Sequence, residues 1–133
     1  MNSILKEWAP AVGRTLLVLI LLISGFNKIG GFEGTAGYMA SKGIPLASVA
    51  LVITIIIEIA GAAMIIVGYK ARLAAAVIFL WLIPVTFIFH AFWAVPQEQV
   101  QTQFIMFFKN IAMMGGMLLV IGLGSGPKSL KND

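Results

Sequence analysis

The sequence predicts an all-α fold: a transmembrane four-helix bundle with a short interfacial helix or re-entrant connector between its first and second spans. Three observations carry that expectation. Long apolar segments recur at about 10–29, 46–69, 73–93 and 104–123. Apolar residues make up 60% of the chain and charged residues 11%, with a mean hydropathy of +1.02. A soluble domain carries roughly 25% charged residues, so this chain cannot dress a globular surface in water. The breaks between segments are basic, polar or glycine-rich, as connections between membrane spans are. With 133 residues there is room for a single domain, 1–133.

The first span opens at Pro10, whose missing N–H suits a first helical position. It contains Thr15–Phe26, short enough for the apolar region of a secretory signal, but no small-x-small cleavage site follows and it is read as a retained helix. Arg14 and Lys28 bracket this span only about 20 Å apart, against a hydrocarbon core of roughly 30 Å. Each must snorkel to an interface or face the bundle interior. In the connector, Phe32, Ala36, Tyr38 and Met39 alternate with Glu33, Thr35 and Ser41, as in an amphipathic helix lying at headgroup level. Gly43-Ile44-Pro45 starts the second span, which carries one charge, Glu58, and ends at the basic turn Lys70–Arg72. Pro84 should kink the third span. Pro96–Gln103 is the most polar stretch and is expected to be aqueous. The fourth span ends in Gly122, Gly124, Gly126 and Pro127, a strong stop.

Orientation follows from the basic residues. An even number of spans puts both termini and the middle turn on one side, with Lys6, Arg14, Lys70, Arg72, Lys128 and Lys131; the other side holds Lys28, Lys42 and Lys109. That bias places both termini in the cytoplasm. The nine Lys and Arg residues and the net charge of +4 are spread over segment ends, and no basic patch carries interleaved aromatics. The charges are therefore expected to set topology and touch acidic headgroups of the lipid bilayer, with no nucleic-acid partner.

This topology gives each membrane-embedded polar residue a depth. Ser24, Asn27 and Lys28 fall at the outer end of the first span and His90 at the outer end of the third. Lys109 and Asn110 lie about two turns into the fourth, and Glu58 near the middle of the second. All four spans thus bring a polar group to the outer half of one bundle. Glu58 shares a face with Thr54, Gly61 and Ala62, small residues suited to helix contact, while Ser24–Lys28 and Thr86–His90 are i, i+4 pairs. Asn110, Met113, Met114 and Met117 form a soft wall, beside Gly115-Gly116 where backbones can approach closely. Two readings are compatible: Glu58 pairs with Lys28 or Lys109 and fixes the packing, or these groups line a cavity open toward the outer face. Trp81, Phe87, Phe89, Phe92 and Trp93 read as an interfacial belt with lipid contact, or as a stacking site for a ring-shaped ligand.

Much chemistry is not expected. The chain has no cysteine, which excludes disulfides, iron–sulfur clusters and a thiol relay within it. A single histidine with one distant glutamate is a poor metal site and lacks the usual His pair of a haem bundle. No phosphate-cradling loop, nucleophile triad or carboxylate pair is present, so the chain is not expected to be an enzyme by itself.

Gly13-Arg14 followed by Ser24-Gly25-Phe26-Asn27-Lys28-Ile29 resembles the first-helix signature of the DoxX family of membrane proteins. Gly31-Phe32-Glu33-Gly34-Thr35, Tyr38-Met39-Ala40 and Gly43-Ile44-Pro45 are similar to its connector. Glu58-Ile59-Ala60-Gly61, Gly68, Ala71-Arg72, His90, Phe108-Lys109-Asn110 and Gly115-Gly116 match in order and spacing. The resemblance covers nearly the whole chain and implies a multi-pass protein of the bacterial inner membrane. It puts Arg14, Lys28, Glu58, His90, Lys109 and Asn110 at the family's recurrent polar positions. It also implies, by analogy with quinone-linked respiratory enzymes, a quinone or another lipophilic ligand in the outer half of the bundle.

Three function classes follow. One is an accessory or ligand-binding subunit, with Lys28, Lys109 or His90 donating to the ligand's carbonyls, Glu58 in support, and electrons supplied by a redox partner protein. The second is a proton-coupled carrier switched by Glu58 and hinged at Pro84, which at this size would need a homodimer. The third is a structural module whose polar cluster only pins the packing.

Overall fold

The computed structural model describes residues 2–131; the end residues of the expected 1–133 unit lie outside the described residues. Five α-helices follow one another: α1 (Ser3–Gly30), α2 (Phe32–Ser41), α3 (Ala47–Val67), α4 (Ala71–Phe89) and α5 (Val100–Leu123). Two 3₁₀ turns, Phe92–Ala94 and Gln97–Gln99, join α4 to α5. Helices α1, α3, α4 and α5 are long and apolar enough to cross a bilayer. The all-α four-helix membrane bundle is therefore present, and the connector between its first two spans contains the ten-residue helix α2.

Two helix starts differ from expectation. Helix α1 begins at Ser3 rather than Pro10, because Asn2 caps it through Oδ1, accepting from Ile4 N at 2.8 Å. Pro10 becomes an interior residue, and the helix extends about 42 Å. Helix α5 begins at Val100 rather than Phe104, so Gln103 is helical. The other boundaries lie closer to expectation, with α3 ending two residues before Tyr69 and α4 four before Trp93. Gly68 takes a left-handed conformation (φ 73°) after α3, and Met64 O accepts from both Gly68 N and Tyr69 N at 2.9 Å. Helix α4 runs unbroken through Pro84 and ends at Phe89, before Trp93, with His90 N donating to Thr86 O.

In lipid, helix association rests on close packing and interhelical hydrogen bonds, since the surroundings are as apolar as the interface. The buried core follows that rule: Val18 and Leu21 of α1, Ala62 and Ile65 of α3, the small-residue face Ala71, Ala74 and Ala75 of α4 with Ile78 and Leu82, and Met113, Met117 and Val120 of α5. A β-carbon at Gly25 would stand 2.5 Å from Ile59 Cγ1 and 3.3 Å from Glu58 Cβ, so α1 approaches α3 closely there. Of the two adjacent glycines in α5, Gly116 meets Leu17 of α1, whereas Gly115 faces open space. Helix α1 packs chiefly on α3, α3 also on α4, and α4 on α5, leaving the α1–α5 seam thin. Helix α2 lies against α3, burying Ala36 and Met39 beside Leu51. Apolar side chains such as Leu16, Ile56, Leu80 and Leu119 point outward, as a lipid-facing surface requires.

Candidate functional site

The polar residues of the spans sort into two clusters at opposite ends of the bundle. At the end formed by the α3–α4 turn and the C-terminal tail lies Arg14, which is 6% exposed. Its Nε donates to Ile65 O at 3.0 Å and Ile66 O at 3.3 Å, where α3 ends. Nη1 donates to Ser125 O and Pro127 O, both at 2.9 Å, and Nη2 to Lys128 O at 2.6 Å. The last turn of α3 cannot satisfy these carbonyls internally, and a planar guanidinium with five donors suits several acceptors at once. The tail is fastened further by Leu130 N to Val67 O at 2.9 Å and Lys131 N to Gly68 O at 3.0 Å. Arg14 is thus a clamp binding α1, α3 and the tail, and it does not line the connector-end cavity.

That cavity, of about 280 Å³, lies among all five helices. Helix α1 contributes Ser24 and Lys28, α2 Thr35, Tyr38 and Met39, and α3 Thr54 and Glu58. Trp81, Phe89 and His90 come from α4 and its C-cap, and Gln103, Lys109, Asn110 and Met113 from α5. Five of the residues singled out from the sequence therefore converge: Lys28, Glu58, His90, Lys109 and Asn110. Asn27 is exposed on the outer side of α1 and lines a neighbouring shallow depression instead.

Of the two lysines within the spans that could partner Glu58, it is Lys28 that pairs with it. Lys28 Nζ lies 2.9 Å from Glu58 Oε1, and Glu58 is 2% exposed. A helical side chain leans toward its own N-terminus, which lets Lys28, near the end of α1, reach back to the middle of α3. Lys28 also donates to Ser24 Oγ at 2.5 Å, the expected i, i+4 pair. The approach to Glu58 Oε1 lacks hydrogen-bond alignment, leaving a buried acceptor held by charge alone. Lys109 is placed differently. Its Nζ meets the thioether Sδ of Met106 at 3.6 Å, a weak acceptor, and no carboxylate lies within salt-bridge distance of it among the described residues.

The other expected pair, Thr86–His90, exists only through the backbone. The Thr86 hydroxyl is wholly buried and accepts from Asn110 Nδ2 at 3.1 Å, tying α4 to α5. His90 Nδ1 lies 2.8 Å from Gln103 Oε1; an amide oxygen only accepts, so with the amide placed this way Nδ1 carries the proton. Gln103 escaped the sequence reading because its stretch looked aqueous. Its spacing of seven residues before Asn110, two turns on one helix face, was the available signal. The α2 residues Thr35 and Met39 were likewise not anticipated as lining residues.

The aromatics divide. Trp81 and Phe89 line the cavity, and Trp81 Nε1 reaches Thr54 Oγ1 at 3.4 Å. Phe87, Phe92 and Trp93 join Phe104, Phe107 and Phe108 in an edge-to-face cluster away from it, as between Phe92 and Phe104 at 5.0 Å. Among the described residues, no group of three or more His, Cys, Asp or Glu side chains converges in a way that could hold a metal ion. The cavity can therefore present a cation, a buried ion pair, amides and an aromatic wall to a bound molecule.

Comparison with known proteins agrees with this architecture. Two Escherichia coli proteins are similar along most of their length. Inner membrane protein YphA is 34% identical over 90% of this chain and 85% of its own, and inner membrane protein YqjF is 31% identical over 95% and 92%. A Surfeit locus protein 4 homolog of Schizosaccharomyces pombe is 29% identical over 94% of this chain but only 37% of its own length. No solved structure matches the chain. The DoxX family model matches residues 9–91, from within α1 to just past His90, and this small integral membrane protein belongs to the DoxX family.

Proposed function

We propose that the chain is a ligand-binding or accessory subunit of the bacterial inner membrane, holding a lipophilic molecule at the connector end of the bundle. One observation carries the reading: Lys109 lines a cavity and, among the described residues, only a thioether accepts from its ammonium group. A charge in a membrane-spanning segment is costly and marks a functional site by default. Lys109 donates to the ligand, Asn110 and His90 shape the wall, and Glu58 holds Lys28 in place. Asn27 stands at the outer rim, and Arg14 supports the fold from the opposite end. A quinone ring, the ligand suggested by the family analogy, is compatible with this lining, which offers a donor for its carbonyl and the flat faces of Trp81 and Phe89. In a quinone-linked role, electrons would pass to or from a redox partner protein.

The names of the two E. coli relatives support the inner-membrane assignment. The gathering of Lys70, Arg72, Lys128 and Lys131 at the clamped end supports a cytoplasmic location for both termini.

The test is mass spectrometry of small molecules extracted from protein purified in native-lipid discs, comparing wild type with Glu58→Gln and Lys109→Met. A specific molecule near one per chain in wild type, depleted in both variants, is the expected result. Absence of any specific molecule from all three samples, with unfolding temperature the only property to change, would favour the purely structural module. The carrier reading requires Glu58 to release its buried pairing with Lys28 in each cycle and a homodimer to form the path; proton uptake coupled to solute movement in vesicles, abolished in Glu58→Gln, would favour it instead.

A further inference from the structure

The charges lining the cavity do not balance. Lys28 and Glu58 cancel as a pair at 2.9 Å, while Lys109 brings a second ammonium group with no carboxylate of its own within ion-pair distance among the described residues. One positive charge is left over in a site walled by apolar groups, where charges are poorly screened. The cavity is also small. At about 280 Å³ it falls just below the usual range of roughly 300–1,000 Å³ for small-molecule pockets, enough for a head group but not for a long chain. Beside it, between α1 and α2, lies the shallow depression that contains Asn27. Ile20, Ser24, Lys28 and Thr35 line both, and Ile23 extends the depression along the exposed, lipid-facing side of α1.

From this placement we infer that the bound molecule is a single-chain amphiphile with an anionic head, a carboxylate or phosphate. The head enters sideways from the bilayer to meet Lys109, and the chain stays in the Ile20–Ile23 depression between α1 and α2. The inference rests on the ligand-binding reading of the cavity and gives that ligand its charge and its route. Ser24 and Thr35 form the polar threshold that the head group crosses, and the Lys28–Glu58 pair stays intact as its floor.

The three tryptophans, Trp8, Trp81 and Trp93, allow a direct test. In a Trp8→Phe/Trp93→Phe background, Trp81 in the cavity wall is the only indole, and a bromine atom close to it quenches its fluorescence. The probes are 2-bromododecanoate, its uncharged methyl ester and the tail-less 2-bromopropionate, with a short-chain alkyl benzoquinone as neutral competitor. The expected result is saturable quenching by the dodecanoate, at least tenfold weaker binding of the ester, and no saturation by the propionate at the same concentration. Lys109→Met should weaken the dodecanoate tenfold or more without loss of folding, since it removes an unpaired, half-buried charge. Thr35→Phe, which narrows the threshold, should weaken it several-fold. Equal binding of the propionate would mark a free-anion site and overturn the amphiphile. Equal binding of ester and acid, indifferent to Lys109→Met, would overturn the anionic head while leaving a site for a neutral lipophile. If none of the three brominated probes saturates and the quinone does not bind, the ligand-binding reading falls together with the inference.

Discussion

The two polar clusters of this bundle are built from the same kinds of residue and come out opposite. At the tail end, Arg14 directs its donors onto five carbonyl groups from two segments of chain, and the site is filled. At the connector end, Lys109 has one thioether, Glu58 Oε1 has an ion pair without an aligned hydrogen bond, and space remains between them. Both place charge within membrane-spanning helices, which is expensive. A saturated charge accounts for itself structurally: it ties elements together and compensates its desolvation locally. An unsaturated charge beside a cavity has no such account, and on the ligand-binding reading proposed above its compensation comes from the bound molecule. The degree of hydrogen-bond satisfaction, rather than the presence of charge, is what distinguishes the two clusters.

Mutations can break or sharpen that contrast. The largest loss is expected from Arg14→Met, which strands the carbonyls at the end of α3 and frees the tail. A destabilisation of about 3–5 kcal/mol should appear as a lowered unfolding temperature in detergent, while Trp81-reported binding at the other end persists in the folded fraction. Arg14→Lys should recover less than half of it, because an ammonium has three donors where the guanidinium has five.

Glu58→Gln should cost less, about 1–3 kcal/mol, since Lys28 is partly exposed and keeps Ser24 as acceptor. Combining it with Lys28→Met should cost less than the sum of the single changes in a double-mutant cycle; simple additivity would mean that the pair is not coupled. Below that, Thr86→Val removes the acceptor for Asn110 and should cost about 0.6–1.7 kcal/mol, from the average to the largest value for interhelical hydrogen bonds within a membrane. At the bottom, Lys109→Met should leave the unfolding temperature unchanged or slightly raised. A drop as large as that of Arg14→Met would erase the distinction between the clusters.

How much of this was legible beforehand depended on whether a property is local. Gly124 ends α5 where expected, at a positive φ of 80° that glycine adopts without steric cost, whereas Gly68, in a left-handed cap, ends α3 two residues short of the expected Tyr69. Pro10 misled, because Pro is compatible with a helix interior when an upstream Asn2 cap and bonds beyond the proline sustain it. The Ser24–Lys28 contact was readable from helical spacing. Thr86–His90 was not, because a buried Asn110 on another helix competed for the hydroxyl and Gln103 for the imidazole. Gln103 itself was hidden by its polar neighbours, although its helical register with Asn110 pointed to it.

By itself, the sequence determined that four apolar helices cross a membrane, and which polar residues would lie within them. Hydropathy and helical periodicity are summed along the chain, so tertiary contacts do little to change them. Only the tertiary structure decided what each polar residue meets. Arg14 and Lys28 stand on one helix with opposite alternatives open to each. The α3 terminus and the tail surround the first with carbonyls, while Glu58 and the cavity meet the second. Whether a buried charge is satisfied depends on atoms contributed by other helices, and those distances are set by packing.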